Sequence, residues 1–177
     1  ALSLKLISFP IFGIFLELDL DFCFQIHGNG GEAGRIREWV AESGDKRFQF
    51  GEFLDEKGFV KALHDTDFFV ITEKPGVGAS FIPSKLIPCL AVGSPVLCVC
   101  DSHGPLGMEV QEYDLGLCIE WPNIDAMVPL LEEILKSPSR LTELQKNAFQ
   151  RAMVYQRSSV IEKVESEMQS LVGTHGS

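Results

Sequence analysis

Lys85 stands where a cation is least at home. The apolar run Asp67-Phe68-Phe69-Val70-Ile71 reads as a strand and empties into a Gly/Ser-rich loop over 72–84. Pro83-Ser84 then opens a short helix that Gly93-Ser94-Pro95 stops. A helix start presents unpaired N–H groups and roughly half a unit of positive charge, so a lysine in its first turn opposes the dipole. The exposed penalty is only about a few tenths of a kcal/mol, and a solvated side chain is one reading. The other is an anion, a phosphate above all, held where the two positive ends meet.

Gly28-Asn29-Gly30-Gly31 also has the composition for phosphate. It follows a strand-like run and precedes a helix-like one, a place where backbone N–H groups can cradle an anion or approach a ligand closely. It is not a dinucleotide fingerprint, because Ala33 stands at the last glycine position, and it lacks the Lys-Ser/Thr pair of a P-loop. A tight turn is the plainer reading. Glu73 and Lys74, at the mouth of the strand ending at Ile71, could hold a ligand hydroxyl and a phosphate, or be a solvated pair. Of the histidines, His27 closes a buried strand, where a backbone partner is its usual fate. His64 suits a helix C-terminus, and His103 lies in a strand-exit loop near any ligand. No nucleophile triad or His/carboxylate metal spacing stands out, so no catalytic residue can be named, and no cofactor or metal is expected.

The elements that must position these residues alternate along the chain. Strand-like runs at 22–26, 48–50, 68–71, 96–99 and 116–120 are each followed by a helix-like one. These helices run over 32–43, from 55 or 56 to 64, over 84–92, from Pro105 to Tyr113, and from an Asn123 cap through Ile134. Pro129 must kink that last helix or mark a later start. Further helices are read from Ser137-Pro138 and from a Ser159/Glu162 capping box through Leu171, and the tail 173–177 frays. Successive β-then-α units with short turns predict an α/β fold: a Rossmann-like parallel sheet with helices on both faces. Ligands then bind at the C-terminal strand ends, where the loops 27–31, 72–84 and 101–104 converge.

Composition narrows the partners. The 177 residues suffice for one domain with a substantial core, and 45% hydrophobic with 23% charged residues is ordinary for a globular chain. A net charge of -10, with no basic cluster, argues against nucleic acid. Cys23, Cys89, Cys98, Cys100 and Cys118 are odd in number and sit in apolar runs, as buried free thiols do, which fits a reducing cytoplasm. Cys98-Val99-Cys100 puts two thiols on one strand face, but no His or second Cys pair lies near in the chain to complete a metal set. The atypical apolar segment 1–21 is nearer a core element than a bilayer span in length and lacks the marks of a signal peptide. It reads as a strand-turn-strand or strand-helix piece of the core. Peripheral membrane contact through Phe9, Phe12 and Phe15 is the alternative.

Phe24 to Glu38 (FQIHGNGGEAGRIRE), Phe48 to Phe53 (FQFGEF), Thr66 to Ile71 (TDFFVI), Pro83 to Val96 (PSKLIPCLAVGSPV) and Gly116 to Glu120 together resemble a known domain. It is the C-terminal, donor-binding domain of retaining GT-B glycosyltransferases, in particular the colanic-acid type of glycosyltransferase family 4. The resemblance covers 22–172 and is most specific in PSKL…LAVGSPV. It implies one half of a GT-B fold that binds a UDP- or GDP-linked sugar without a metal, for polysaccharide biosynthesis. Transfer to the acceptor would retain the anomeric configuration.

By the resemblance, Gly28, Asn29, Gly30 and Gly31 lie near the donor diphosphate, and the segment with Glu52 and Phe53 lies beside the nucleobase. Ser84, Lys85 and Leu86 meet diphosphate and ribose. Many relatives carry two glutamates that touch sugar and ribose. Aligning on Gly93 puts Ser80 and Pro88 at those places, so neither carboxylate is present. The basic residue expected upstream of the glycine turn is also unmatched, and the acceptor-binding domain is absent from this chain. Expected, then, is a donor-binding part that does not turn over without an acceptor domain or partner subunit. The alternative is a non-catalytic, degenerate interaction domain of the same fold.

Overall fold

The computed structural model describes residues 8–17, 19, 21–76 and 82–156. Helix α1 (Ser8–Leu16) is followed by β1 (Phe24–His27), α2 (Ala33–Ser43), β2 (Phe48–Gly51), α3 (Glu56–His64) and β3 (Phe69–Thr72). Then come α4 (Leu86–Ala91), β4 (Val96–Val99), α5 (Pro105–Glu112), β5 (Gly116–Ile119), a 3₁₀ segment (Trp121–Ala126), α6 (Met127–Leu135), α7 (Pro138–Ala152) and a final 3₁₀ turn (Met153–Tyr155). All strand pairs are parallel: β1 with β2, and β3–β4–β5 in that order. The expected sheet is thus laid down in two sections, and no described ladder joins β1 to β3.

Side-chain alternation along β4 sets up the two faces. Leu97 and Val99 enter one core cluster with Ile26, Phe48, Ile36 of α2, Met127 and Leu131 of α6, and Ile11, Phe12 and Phe15 of α1. Val96, Cys98 and Cys100 enter the other with Leu63 of α3, Leu86 and Leu90 of α4, Val110 of α5 and Ala148 of α7. β4 is therefore buried on both sides, as its unbroken apolar run requires, and helices cover both faces.

The N-terminal segment belongs to this core. α1 tolerates Pro10 because a first-turn N–H has no intrahelical partner to lose. Phe12 meets Phe24 edge-on at 5.5 Å and stacks on Trp39 at 4.8 Å. Phe12 and Phe15 are thus used inside the protein, which corrects the reading of those two rings as membrane contacts. No described helix is long and apolar enough to cross a membrane. The last helix read from sequence, over Ser159 to Leu171, lies outside the described residues.

Candidate functional site at the strand ends

β1 ends at His27 and runs into Gly28-Asn29-Gly30-Gly31. Gly28 is buried and the next three residues are exposed, with Gly30 C=O accepting from the Ala33 N–H at 2.9 Å as α2 begins. A Cβ at Gly30 or Gly31 would meet nothing within 4 Å, so both face open space. Crowding within the described chain does not demand glycine there. His27 packs over Gly51, where a Cβ would fall 2.5 Å from its ring, and its Nδ1 contacts the Glu52 carbonyl at 3.0 Å. The histidine has the backbone partner its strand-end position implies, and it fixes the start of the loop after β2.

That loop carries Glu52 and Phe53, both exposed. With His27, Leu54, Asp55, Glu56 and Phe59, Phe53 lines a cavity of about 240 Å³. Phe53 leaves 56% of its surface open, a large apolar area left uncovered at the rim. Asp55 caps α3, its carboxylate accepting from the Gly58 N–H at 2.7 Å, so that helix start is already satisfied by an anion. The last residue of β1 and the loop after β2 therefore share one hollow, which Gly28 to Gly31 do not line.

After β3, Glu73 continues the ladder by donating its N–H to the Val99 carbonyl at 3.0 Å, and its own carbonyl accepts from Trp121 Nε1 at 2.7 Å. Its side chain is half-buried and Oε2 has no hydrogen-bond partner among the described residues. Burial, and then the charges of Asp101 and Cys118, raise its pKa above the usual carboxylate value. Lys74 is exposed. Across the crest, Glu120 accepts from Ser102 Oγ at 2.5 Å and Asp101 from the His103 N–H at 2.9 Å, closing the turn after β4. The His103 ring is 93% exposed beside Asp101.

Ser84 and Lys85 form the turn into α4, and Ser84 is exposed. Lys85 is half-buried and has no carboxylate within ion-pair reach among the described residues. Burial lowers its pKa, which marks an ammonium group held partly out of water without compensation. Leu86 departs from the sequence reading. Its side chain is fully buried in the core and its N–H donates to the Pro83 carbonyl at 2.9 Å, so neither is presented to a ligand. Pro88 lies inside α4. Ser80 lies outside the described residues.

Sequence reasoning missed two features here. Trp121 tethers the Glu73 backbone from beyond β5. Cys118 stands beside Cys98 in the ladder, bringing a third thiol to the pair read from sequence.

No family model matches the chain. It is 25% identical over 125 residues to an Escherichia coli (strain K12) protein named "Putative colanic acid biosynthesis glycosyl transferase WcaI". The matched stretch is 70% of this chain and 31% of that protein, so the chain spans about a third of the relative's length. A chain in the crystal structure of the GtfA/B complex superimposes with a TM-score of 0.65 at 16% identity, over 92% of this chain and 31% of that one. The sequence is thus similar to a glycosyl transferase, and the fold is the Rossmann-like α/β arrangement of that solved neighbour.

Proposed function

We propose that this chain is the nucleotide-sugar-binding part of a glycosyltransferase, taking a UDP- or GDP-linked sugar whose glycosyl group is transferred with retention. The observation that carries the reading is Lys85, a half-buried ammonium at a helix start with no acidic partner among the described residues. A diphosphate supplies the missing negative charge, and the exposed Ser84 hydroxyl adds a donor beside it. The open faces of Gly30 and Gly31 admit the same oxygens against backbone N–H groups. Phe53, at the rim of the cavity, offers a flat apolar face to the base, and Glu52 beside it an acceptor for the base or ribose. Glu73, just beyond β3, is the carboxylate assigned to a sugar hydroxyl in this reading.

In this reading the chemistry belongs to the assembled enzyme. Positive groups around the diphosphate stabilise charge that grows as the glycosyl bond breaks. The acceptor comes from an additional domain or a partner subunit, consistent with the chain matching only 31% of its relative. Calorimetric or NMR titration with UDP, GDP and their sugars tests the proposal. Saturable binding is expected, and Lys85→Ala should weaken it about tenfold to a hundredfold through loss of a charge-assisted contact. Absence of any heat or shift change at millimolar nucleotide would sink it. The second reading, a non-catalytic domain of the same fold, is favoured by Ser80 and Pro88 standing where relatives have glutamates. Nucleotide binding that persists without turnover when an acceptor domain is supplied would select it.

A further inference from the structure

Cys98 and Cys118 are register partners on β4 and β5, and Cys100 projects two residues beyond Cys98 on the same face. The three sulfurs all lie within 4.8 Å of one another, and Cys100 and Cys118 are 3.7 Å apart. Sulfurs at about 2.3 Å from one tetrahedral zinc ion stand about 3.8 Å apart, so little movement separates this trio from a ligand set. Cys98 and Cys100 are 0% and 1% exposed, while Cys118 is half-buried and gives a way in.

Glu73 makes this more than a cluster of core thiols. Its N–H bond to Val99 extends the β3–β4 ladder by one step, placing Glu73 opposite Cys100. Paired residues in parallel strands share a face, so the carboxylate lies on the thiol side of the sheet. Its Oε2 is buried with no hydrogen-bond partner among the described residues, a condition native interiors seldom leave unexplained. Glu120, by contrast, is engaged by Ser102.

We propose that Cys98, Cys100 and Cys118 form a binding site for one thiophilic cation, Zn(II) or Cu(I), with Glu73 as the adjacent oxygen donor. Three converging sulfurs suit both ions. The three sulfurs lie together without the Glu73 carboxylate, which must swing in to complete a four-coordinate zinc set, whereas Cu(I) needs sulfur alone. The site meets the proposed donor-binding residues only at Glu73 and uses a cluster that the linear sequence conceals, since its third thiol arrives through strand register. Binding releases the thiol protons as each sulfur becomes a thiolate.

The test is titration of the reduced chain with Zn(II), Cu(I) and Co(II) under anaerobic conditions. One equivalent should bind, and Co(II) should give intense sulfur-to-metal charge-transfer bands that Cys118→Ser abolishes and Cys23→Ser leaves intact. Glu73→Gln should weaken Zn(II) about tenfold and leave Cu(I) unchanged. Alkylation of Cys118 followed by mass spectrometry covers the case in which the serine variant fails to fold. One equivalent of Zn(II) should slow labelling of Cys118 at least tenfold while Cys23 reacts as before. Absence of thiolate bands, or Cys118 labelling indifferent to metal, overturns the site.

Discussion

Arg151 grips Glu109 through both carboxylate oxygens, Nε to Oε1 at 2.5 Å and Nη2 to Oε2 at 2.9 Å, across the seam between α7 and α5. Tyr155 adds its hydroxyl to Oε1 at 2.6 Å, and the guanidinium lies 3.5 Å from the centre of the Tyr113 ring. Glu109 is only 7% exposed, so its charge is acceptable in the interior because these donors surround it. Burial, and then that hydrogen bond, push the Tyr155 hydroxyl up to about 12.

Removing Arg151 should therefore unmake more than a surface pair. Arg151→Ala leaves the Glu109 carboxylate buried with one donor, and a loss of about 3 kcal/mol is expected. Arg151→Lys should recover little of it, because a point ammonium cannot make the two-pronged contact. Urea denaturation reads both, as a lowered midpoint with an unchanged slope.

A second expectation concerns how closely α5 sits on the turn after β4. A Cβ at Gly107 would fall 2.3 Å from the Asp101 carbonyl oxygen and 2.7 Å from Ser102 Cα, both backbone atoms that cannot swing aside. Gly107→Ala should cost about 1–3 kcal/mol as an overpacked contact. Gly34→Ala, in α2 with nothing near its Cβ, should stabilise by about 0.5–1 kcal/mol instead. Equal effects from the two changes would show that the close approach at Gly107 is absent.

Much of this architecture is readable from the chain because each β4-type run is apolar and each turn carries its own stop signal. Val96–Val99 and α3 fall where an unbroken apolar run and a helix starting at 55 or 56 put them. The helix read from Asn123 takes the later start that Pro129 allowed, for a local reason. Asn123 has φ -113° and ψ 19°, interrupting a 3₁₀ segment, and α6 starts only at Met127, placing Pro129 in its first turn where no N–H is needed. Division of the sheet into two sections was not legible, since strand order is a tertiary property. Leu86 was read as a ligand contact from its place in a motif, while its apolar side chain obeyed the core. The thiol cluster needed register between β4 and β5, which no spacing along one strand reveals.

Acid should loosen the start of β5. Asp114 holds φ +50°, a conformation asparagine also accepts, and its carboxylate receives Arg140 Nη1 at 2.6 Å and Nη2 at 2.5 Å, with Asn147 at 3.2 Å. The Arg140 hydrogen bonds, first among the causes, hold its pKa below the usual aspartate value. A depressed carboxylate contributes stability above its unfolded value, about 3.9, and loses it as pH falls through the folded value. Asp114→Asn should thus melt below the wild type at pH 6, with the gap closing toward pH 3. A gap constant over that range would show that the Arg140 pair does not carry the linkage.

The nucleotide reading makes its sharpest demand on Phe53. The ring is 56% exposed on the rim of the cavity that His27 and α3 enclose, so it contributes little to the core. Phe53→Ala should leave the thermal transition within about 0.5 kcal/mol of the wild type, as exposed positions do. If the base stacks there, the loss is about 1–3 kcal/mol of binding, roughly a fivefold to hundredfold rise in the Kd for UDP or GDP. Phe53→Tyr should keep most of the affinity, because the flat face survives. Comparing the nucleotides with inorganic pyrophosphate then separates the two ends of the ligand. Phe53→Ala should weaken the nucleotides and spare pyrophosphate, whereas Lys85→Ala should weaken all three. A Phe53→Ala protein that binds UDP and GDP as the wild type does would remove the base from this cavity.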